Sequence, residues 1–204
     1  MSLLSLKPYN DRIENEVNMK KLVSIIGDAE LDENSSKREF AYAMGKALID
    51  NGYRVISGGL GGVMKAAFEG ARSSEFYQEG DTIAILPYFD RTKSNGEADI
   101  VIATGLDMYR NIIIANSDAV IAVGGGAGTL CELSSAWTLK RLILAYEDCD
   151  GWSSKIAGQR LDHRIRYEQI EEDKVFGVKT PDEAIAILER YIGQYNNWYQ
   201  GIKP

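Results

Sequence analysis

Seven short runs of β-branched and aliphatic residues recur along the chain, separated by segments with helical periodicity. The runs cover residues 22–26, 54–57, 82–86, 100–103, 119–123, 141–145 and 174–178. Several of them, such as residues 120–123, are apolar at every position, which is typical of parallel strands covered on both faces. This alternation predicts an α/β fold, a doubly wound, mostly parallel, Rossmann-like sheet with helices on both faces.

The segments between the runs predict helices at 36–50, 62–71, 108–116, 129–139 and 181–195. Ser36 and Glu39 have the spacing of a capping box, and Asn51-Gly52 is a helix-ending signal. The polar stretch 147–173 predicts a loop with a short helix. Residues 1–20 carry mixed charge and weak periodicity, so we predict an N-terminal extension at 1–20 and one domain at 21–204.

The composition limits the classes of function. The 204 residues carry a net charge of -7, which opposes binding to the phosphate backbone of nucleic acids. Two cysteines and one histidine are too few for a zinc site of Cys and His ligands, and Glu97, Asp99 and Asp107 are expected to be solvated, so no metal is predicted. No apolar run is long enough to span a bilayer and the first residues lack a signal-peptide pattern, so no membrane partner and a cytoplasmic location are expected.

Two glycine-rich clusters directly follow predicted strands. They read SGGLGGVM at 57–64 and GGGAGTLCE at 124–132, and each opens a predicted helix. The unpaired N–H groups and the positive dipole end of a helix favour an anion, most naturally a phosphate. Neither cluster has the spacing of a dinucleotide fingerprint or a P-loop, and tight turns alone are the alternative interpretation. The predicted phosphate-binding residues are Gly58, Gly59, Gly61, Gly62, Gly125, Gly126, Gly128 and Thr129.

Arg110 and Glu132 are the predicted catalytic residues. Each follows a predicted strand, so both are expected at the carboxyl edge of the sheet. The planar guanidinium of Arg110 matches phosphate oxygens. Glu132 has two interpretations: it is the third residue of a capping box with Thr129 as N-cap, or its carboxylate stabilises a cationic sugar carbon or orients a water.

These motifs, with MYRN around Arg110 and TPDEA at 180–184, give the chain a family resemblance. It resembles the LOG-like proteins often labelled "putative lysine decarboxylase", and within them the molybdenum cofactor carrier-like branch. For the hydrolases of this group, the resemblance implies cleavage of nucleoside 5′-monophosphates to base and ribose 5-phosphate. Arg110 and Glu132 match their essential arginine and glutamate, and the second glycine cluster matches their phosphate loop.

Two positions depart from the hydrolases. Gly124 stands where their motif has proline, and Asn111 stands where they have lysine. Both changes resemble the carrier-like branch, for which the resemblance implies binding of molybdenum cofactor or another phosphorylated ligand without catalysis. Lysine decarboxylation is not expected, because no lysine lies in either glycine loop to hold pyridoxal phosphate.

The sequence therefore predicts a small phosphorylated, nucleotide-like ligand. Hydrolysis of a nucleoside 5′-monophosphate is the first hypothesis, and a non-catalytic carrier is the alternative. No cofactor is expected to be required, and molybdenum cofactor enters only as a possible carried ligand. The family resemblance also implies a homodimer or a higher homo-oligomer, which is the common arrangement of soluble proteins.

Overall fold

A computed structural model describes residues 19–196 of the chain. The seven predicted strands are all present, each within one residue of its predicted bounds. They are β1 (Leu22–Gly27), β2 (Arg54–Ser57), β3 (Thr82–Leu86), β4 (Ile100–Ala103), β5 (Ala119–Val123), β6 (Leu142–Tyr146) and β7 (Val175–Val178).

These strands form one sheet in the order β4-β3-β2-β1-β5-β6-β7, and every pairing is parallel. The central strand β1 pairs on both sides, with Val23 beside Val55 of β2 and Ala119 of β5. The strand order runs outward from β1 in both directions, which is the doubly wound arrangement. The predicted α/β, Rossmann-like fold class is confirmed, and its ligand edge is expected between β1 and β5, where the winding reverses.

Within residues 19–196 there are six α-helices, of which the first five lie between consecutive strands and the last follows β7. They are α1 (Ser36–Asp50), α2 (Gly62–Arg72), α3 (Asn111–Ala115), α4 (Ala127–Thr138), α5 (Trp152–Ile156) and α6 (Pro181–Tyr191). The third predicted helix is wrong as a single element, because residues Asp107–Arg110 form a 3-10 turn before the short α3. The sixth helix ends at Tyr191 rather than at residue 195, and α5 is the short helix predicted in the polar stretch.

The predicted capping box at Ser36 is wrong by one residue. The N-cap of α1 is Ser35, whose side chain accepts a hydrogen bond from the amide of Arg38, so Glu39 falls outside the box. Two adjacent serines offer the same capping oxygen, and the geometry of the preceding turn selects the first. The predicted end of the helix is confirmed, since Asn51 is the C-cap and Gly52 has a φ of +78°.

The core forms two layers, one on each face of the sheet. Alternate residues of the strands face opposite layers, so Ile121 packs with α1, α2 and α6, whereas Val120 packs with α3 and α4. Helices α1 and α2 approach closely at Gly45, where an added Cβ would lie 1.9 Å from the carbonyl oxygen of Ala67. Burial on both faces is the physical reason why the strands read as continuous apolar runs.

The predicted extension at residues 1–20 lies outside the described residues except for its last two, so it stays a prediction, as does the single domain at 21–204. None of the helices within residues 19–196 has both the length and the apolar character that crossing a membrane requires.

Candidate functional site

The loops that leave β1, β2, β4 and β5 meet at the carboxyl edge of the sheet around a cavity of about 260 Å³. Parallel strands place their carboxyl ends together, which is why four segments distant in sequence converge there. The walls come from residues 26–29 after β1, Leu60 and Met64 after β2, Arg110 and Asn111 after β4, and Gly126, Gly128, Thr129 and Glu132 after β5.

The cavity opens onto the start of α4. Gly126 is the N-cap, and no side chain among residues 19–196 caps the helix. The first hydrogen bond into the helix runs from the amide of Leu130 to the carbonyl of Gly126, at 3.0 Å, which leaves the amides of residues 127–129 without helical acceptors. An added Cβ on Gly126 or Gly128 would meet no atom within 4 Å, so the main chain is open to a ligand. This geometry is that of a helix N-terminal anion site.

The second glycine cluster is held in shape by its own protein contacts. Gly124 and Gly125 have φ values of +66° and +93°, a region that glycine adopts without strain. The amide of Gly124 donates to Oγ of Ser153 at 2.7 Å, and the amide of Gly125 donates to Oδ2 of Asp28 at 3.1 Å. The amide of Gly125, a predicted phosphate donor, is therefore occupied by Asp28, and the amides open to the cavity begin further along.

The first glycine cluster packs against neighbouring main chain and against Arg110. An added Cβ on Gly62 would lie 2.2 Å from the carbonyl oxygen of Asp28, and one on Gly61 would lie 2.6 Å from that of Ala29. One on Gly58 would lie 2.4 Å from Nη1 of Arg110. Gly58, Gly59, Gly61 and Gly62 do not line the 260 Å³ cavity, although Gly61 lines a larger cavity beside it, so their role in phosphate binding stays a prediction.

Arg110 is buried, with 8% of its surface exposed, although first-turn arginines are usually solvated. Its Nε and Nη1 atoms have no hydrogen-bond partner within the described part of the chain. Burial lowers the pKa of its guanidinium, and the negative charge of Glu132 opposes that effect. A buried cation that lacks hydrogen bonds carries a large desolvation cost unless an anion satisfies it, so this side chain points to an anionic ligand.

Glu132 faces Arg110 across the cavity. Its Oε1 lies 3.8 Å from Nη1 of Arg110, which is an ion pair but too long for a hydrogen bond. Burial raises the pKa of Glu132 from its ordinary 4.5 to about 7, although the charge of Arg110 opposes the rise. A carboxyl group that titrates near neutrality suits proton transfer.

The capping-box interpretation of Glu132 is wrong. Helix α4 begins at Ala127, two residues before the predicted N-cap Thr129, so Thr129 lies inside the first turn and Glu132 in the second. Glycines with positive φ allow the chain to turn into the helix earlier than a side-chain cap would require. Thr129 is buried and lines the cavity beside Gly128.

Sequence reasoning missed an ion cluster behind the second glycine cluster. Nζ of Lys37 lies 2.7 Å from Oδ2 of Asp28 and 2.7 Å from Oδ1 of Asp150. Burial lowers the pKa of Lys37, but the hydrogen bonds to both carboxylates outweigh that effect and raise it. Asp28 directly follows β1, so its position at the carboxyl edge was the signal that could have identified it.

Of the carboxylates considered as metal ligands, that of Asp99 is already bound by protein donors. Asp99 accepts hydrogen bonds from Tyr77, from the amide of Gly80 and from Arg72. Within residues 19–196, no three His, Cys, Asp or Glu side chains come together as a metal site.

The profile of the SLOG cluster4 family matches residues 20–185, which include the whole carboxyl edge described above. The chain belongs to the SLOG cluster4 family. This membership confirms the predicted resemblance to the LOG-like superfamily. A curated relative of this SLOG cluster4 protein is an uncharacterized protein from Archaeoglobus fulgidus, 43% identical over 115 residues, which cover 56% of this chain and 72% of the relative.

Solved structures resemble the SLOG cluster4 protein over most of its length. The protein TM1055 is 26% identical with a TM-score of 0.70, and the match covers 83% of this chain and 99% of TM1055. The molybdenum cofactor binding protein from Rippkaea orientalis is 28% identical with a TM-score of 0.69, over 86% of this chain and 99% of that protein. The molybdenum cofactor carrier protein from Chlamydomonas reinhardtii is 25% identical with a TM-score of 0.65, with the same coverage.

DNA processing protein A from Helicobacter pylori shares only the fold with the SLOG cluster4 protein. It is 20% identical with a TM-score of 0.54, over 83% of this chain and 80% of that protein. At this identity the comparison shows a shared fold and gives no information on whether this chain binds DNA.

Proposed function

We propose that this SLOG cluster4 protein binds a phosphorylated, nucleotide-like ligand in the 260 Å³ cavity and hydrolyses the N-glycosidic bond of a nucleoside 5′-monophosphate. One observation carries the proposal: Arg110 and Glu132 are buried 3.8 Å apart beside the open start of α4. That arrangement combines an anion site with a carboxyl group that titrates near neutrality.

The phosphate is assigned to the start of α4. The amides of residues 127–129 lack helical acceptors, and the helix dipole adds positive potential there. Arg110 supplies a full positive charge from a side chain, because its Nε and Nη1 lack hydrogen-bond partners in residues 19–196 and match phosphate oxygens. A bound phosphate removes the cost of leaving that guanidinium buried and unpaired.

Glu132 is assigned to the sugar carbon that bears the base. In the reaction, the bond between C1′ and the base nitrogen breaks, a water oxygen bonds to C1′, and the water proton leaves with the base. The ionised carboxylate of Glu132 stabilises the positive charge that develops at C1′, accepts the proton of the attacking water and then passes that proton to the departing base nitrogen. Ribose 5-phosphate and the free base are the products.

A panel of nucleoside 5′-monophosphates tests the hydrolase proposal, with free base and ribose 5-phosphate measured as products. We expect the wild type to cleave at least one member, and Glu132→Gln to lose about 100-fold or more in rate while still unfolding cooperatively as a folded protein. Glu171→Gln, at an exposed position remote from the cavity, is the matched control and should cleave as the wild type does. Absence of cleavage by the wild type, or equal cleavage by Glu132→Gln, would contradict the proposal.

Carriage of a phosphorylated ligand without turnover is the second candidate. It is supported by the similarity to two proteins named for molybdenum cofactor binding or carriage, each matched over 99% of its length. Asn111, which replaces the lysine of the hydrolases, lines the cavity and is buried. A panel that raises the melting temperature without any cleavage would favour this candidate.

We propose that the protein forms a homo-oligomer, as the resemblance implies. The edge strand β4 exposes Ile100 and Ile102, and α3, the next helix along the chain, exposes Ile112 and Ile113, so these four apolar side chains are the candidate interface. Replacement of Ile102 and Ile112 by Lys is expected to convert the oligomer to monomer in sedimentation velocity. A wild type that sediments as a monomer would contradict the proposal.

A further inference from the structure

A second, larger cavity adjoins the phosphate cavity at the carboxyl edge of the sheet. Its volume is about 1080 Å³, and it shares Leu60 with the 260 Å³ cavity. Its walls are the loops after β2, β3 and β4, and the loop after β3 contributes two exposed aromatic side chains, Tyr88 and Phe89. A ligand whose phosphate lies at α4 therefore has room to extend past Leu60 into this space.

An exposed aromatic ring lies in this second cavity. Phe89 is 88% exposed, so nearly all of the apolar surface of its side chain is left in water. Its ring lies against the main chain of Gly105, where an added Cβ would be only 2.1 Å from the ring atom Cε1. Because Gly105 has no side chain, the Phe89 ring can pack directly on its main chain. Most of the surface of the ring remains exposed.

Hydrogen bonds fix the loops that form the walls. The amide of Gly105 donates to the carbonyl of Tyr88 at 2.9 Å, and the amide of Asp107 donates to that of Pro87 at 3.0 Å. On the opposite side, Nδ2 of Asn95 donates to the carbonyl of Leu60 at 2.7 Å. Walls tied in this way lose little entropy when a ligand enters, which favours binding.

The charges in the second cavity differ from those at α4. Asp90 and Asp107 contribute carboxylates and Lys93 contributes an ammonium group. The carboxylate of Asp90 already accepts hydrogen bonds from Thr92, whereas that of Asp107 makes none within residues 19–196. Asp107 also has a φ of +49°, a conformation that non-glycine residues rarely adopt without support from their surroundings. The carboxylate of Asp107 can accept hydrogen bonds from N–H groups, so this side of the cavity suits the nitrogen-rich end of a ligand.

We propose that the second cavity is the subsite for a planar heterocycle with N–H donors on its edge, which stacks on Phe89 and donates hydrogen bonds to Asp107. The inference rests on the proposed function, because it places the ring of the same phosphorylated ligand. Stacking uses the open surface of Phe89, and the unpaired carboxylate of Asp107 selects rings with amino or imino hydrogens. A purine base and a pterin share this chemistry.

Calorimetric titration with ligands that do or do not carry a ring tests the subsite. The probes are ribose 5-phosphate, adenosine, guanosine and uridine 5′-monophosphates, and neopterin monophosphate. Nucleotides that the wild type hydrolyses are titrated in the Glu132→Gln background. We expect a ring-bearing probe to bind about tenfold or more tightly than ribose 5-phosphate. If a purine nucleotide binds most tightly, the natural ring is a purine base. If neopterin monophosphate binds most tightly, the natural ring is a pterin.

Substitution then locates the ring. We expect Phe89→Ala and Asp107→Asn each to weaken the ring-bearing probe by about tenfold, while ribose 5-phosphate binds within about twofold of the wild type. Phe76→Ala is the matched control, because Phe76 is 66% exposed but precedes β3, at the opposite edge of the sheet.

The contrary results separate this inference from the proposed function. Equal affinity for ribose 5-phosphate and every ring-bearing probe, or no effect of Phe89→Ala beyond a change in oligomeric state, would overturn the subsite and leave the phosphate site intact. Absence of binding by all probes, ribose 5-phosphate included, would overturn both.

Discussion

The replacement of Glu132 by Gln gives the most quantitative prediction. Glu132 is buried, with 7% of its surface exposed, and its pKa rises from the ordinary 4.5 to about 7 in the folded protein. The folded state therefore binds a proton that the unfolded state has already released between these two pH values. By linkage, the contribution of this proton to the free energy of unfolding is fully present below pH 4.5. It decreases as the pH rises toward 7 and has been lost above that pH.

The size of this effect follows from the two pKa values. Each pKa unit corresponds to about 1.36 kcal/mol, so the rise to about 7 corresponds to about 3 kcal/mol of unfolding free energy. Glutamine at position 132 carries no charge at any of these pH values. The difference in unfolding free energy, variant minus wild type, should therefore increase by about 3 kcal/mol between pH 4.5 and pH 8.

Urea unfolding of both proteins at several pH values measures this difference. The comparison cancels every other titrating group that the two proteins share, and the loss of the ion pair with Arg110 adds the same offset at each pH above 7. Glu171→Gln, at an exposed position, controls for removal of one carboxylate. A difference that stays level from pH 4.5 to pH 8, or that decreases, would refute a buried carboxyl group with a raised pKa.

Two further substitutions test the surroundings of the cavity. Gly58→Ala places a Cβ 2.4 Å from Nη1 of Arg110, so it should displace the end of that side chain. We expect the affinity for ribose 5-phosphate, measured by calorimetry, to fall about tenfold and the melting temperature to stay nearly unchanged. Gly193→Ala, where an added Cβ meets nothing within 4 Å, is its control, and equal affinities in both variants would exclude this role for Gly58. Lys37→Met removes the cation that lies 2.7 Å from Asp28, so it should lower the unfolding free energy by about 1 kcal/mol. Because Asp28 accepts a hydrogen bond from the amide of Gly125, the same substitution should also weaken ribose 5-phosphate binding. Unchanged affinity in Lys37→Met would show that the loop keeps its shape without this cluster.

Much of the fold could be predicted because burial on both faces leaves a direct pattern in the sequence. A strand such as β5 is apolar at every position, and its bounds agree with the prediction. Helix starts were less predictable, since Ser35 and Ser36 offer equivalent caps and since glycine allows α4 to begin at Ala127 without any side-chain cap. Such choices depend on turn geometry that no local pattern records.

The candidate site was predictable where it depends on the carboxyl edge of a parallel sheet. Arg110 and Glu132 follow different strands, and the topology brings them within 3.8 Å. Their burial was not predictable, because a first-turn arginine and a glutamate with capping-box spacing usually face solvent. Asp28 and Lys37 were missed because a single charged residue after a strand or in a helix forms no motif, and their 2.7 Å contact exists only in three dimensions.

The amino-terminal half of α4 and the rings beyond Leu60 imply an order for the ligand. With the phosphate at the helix start and the ring in the second cavity, as we propose, the sugar or linking carbon would lie between them, near Glu132. This order is the same for a hydrolysed nucleotide and for a carried pterin phosphate. On this proposal, hydrolysis requires an N-glycosidic carbon next to Glu132. A ligand with a different linking group at that position would be bound in the same way without being cleaved.

A crystal structure with ribose 5-phosphate would test the central claim most directly, because it locates the phosphate independently of any activity. We predict a phosphate within hydrogen-bonding distance of the amides of Gly128 and Thr129 and of the guanidinium of Arg110, with the sugar carbon C1′ facing Glu132. A phosphate bound elsewhere on the protein, with only water beside Arg110, would contradict the account.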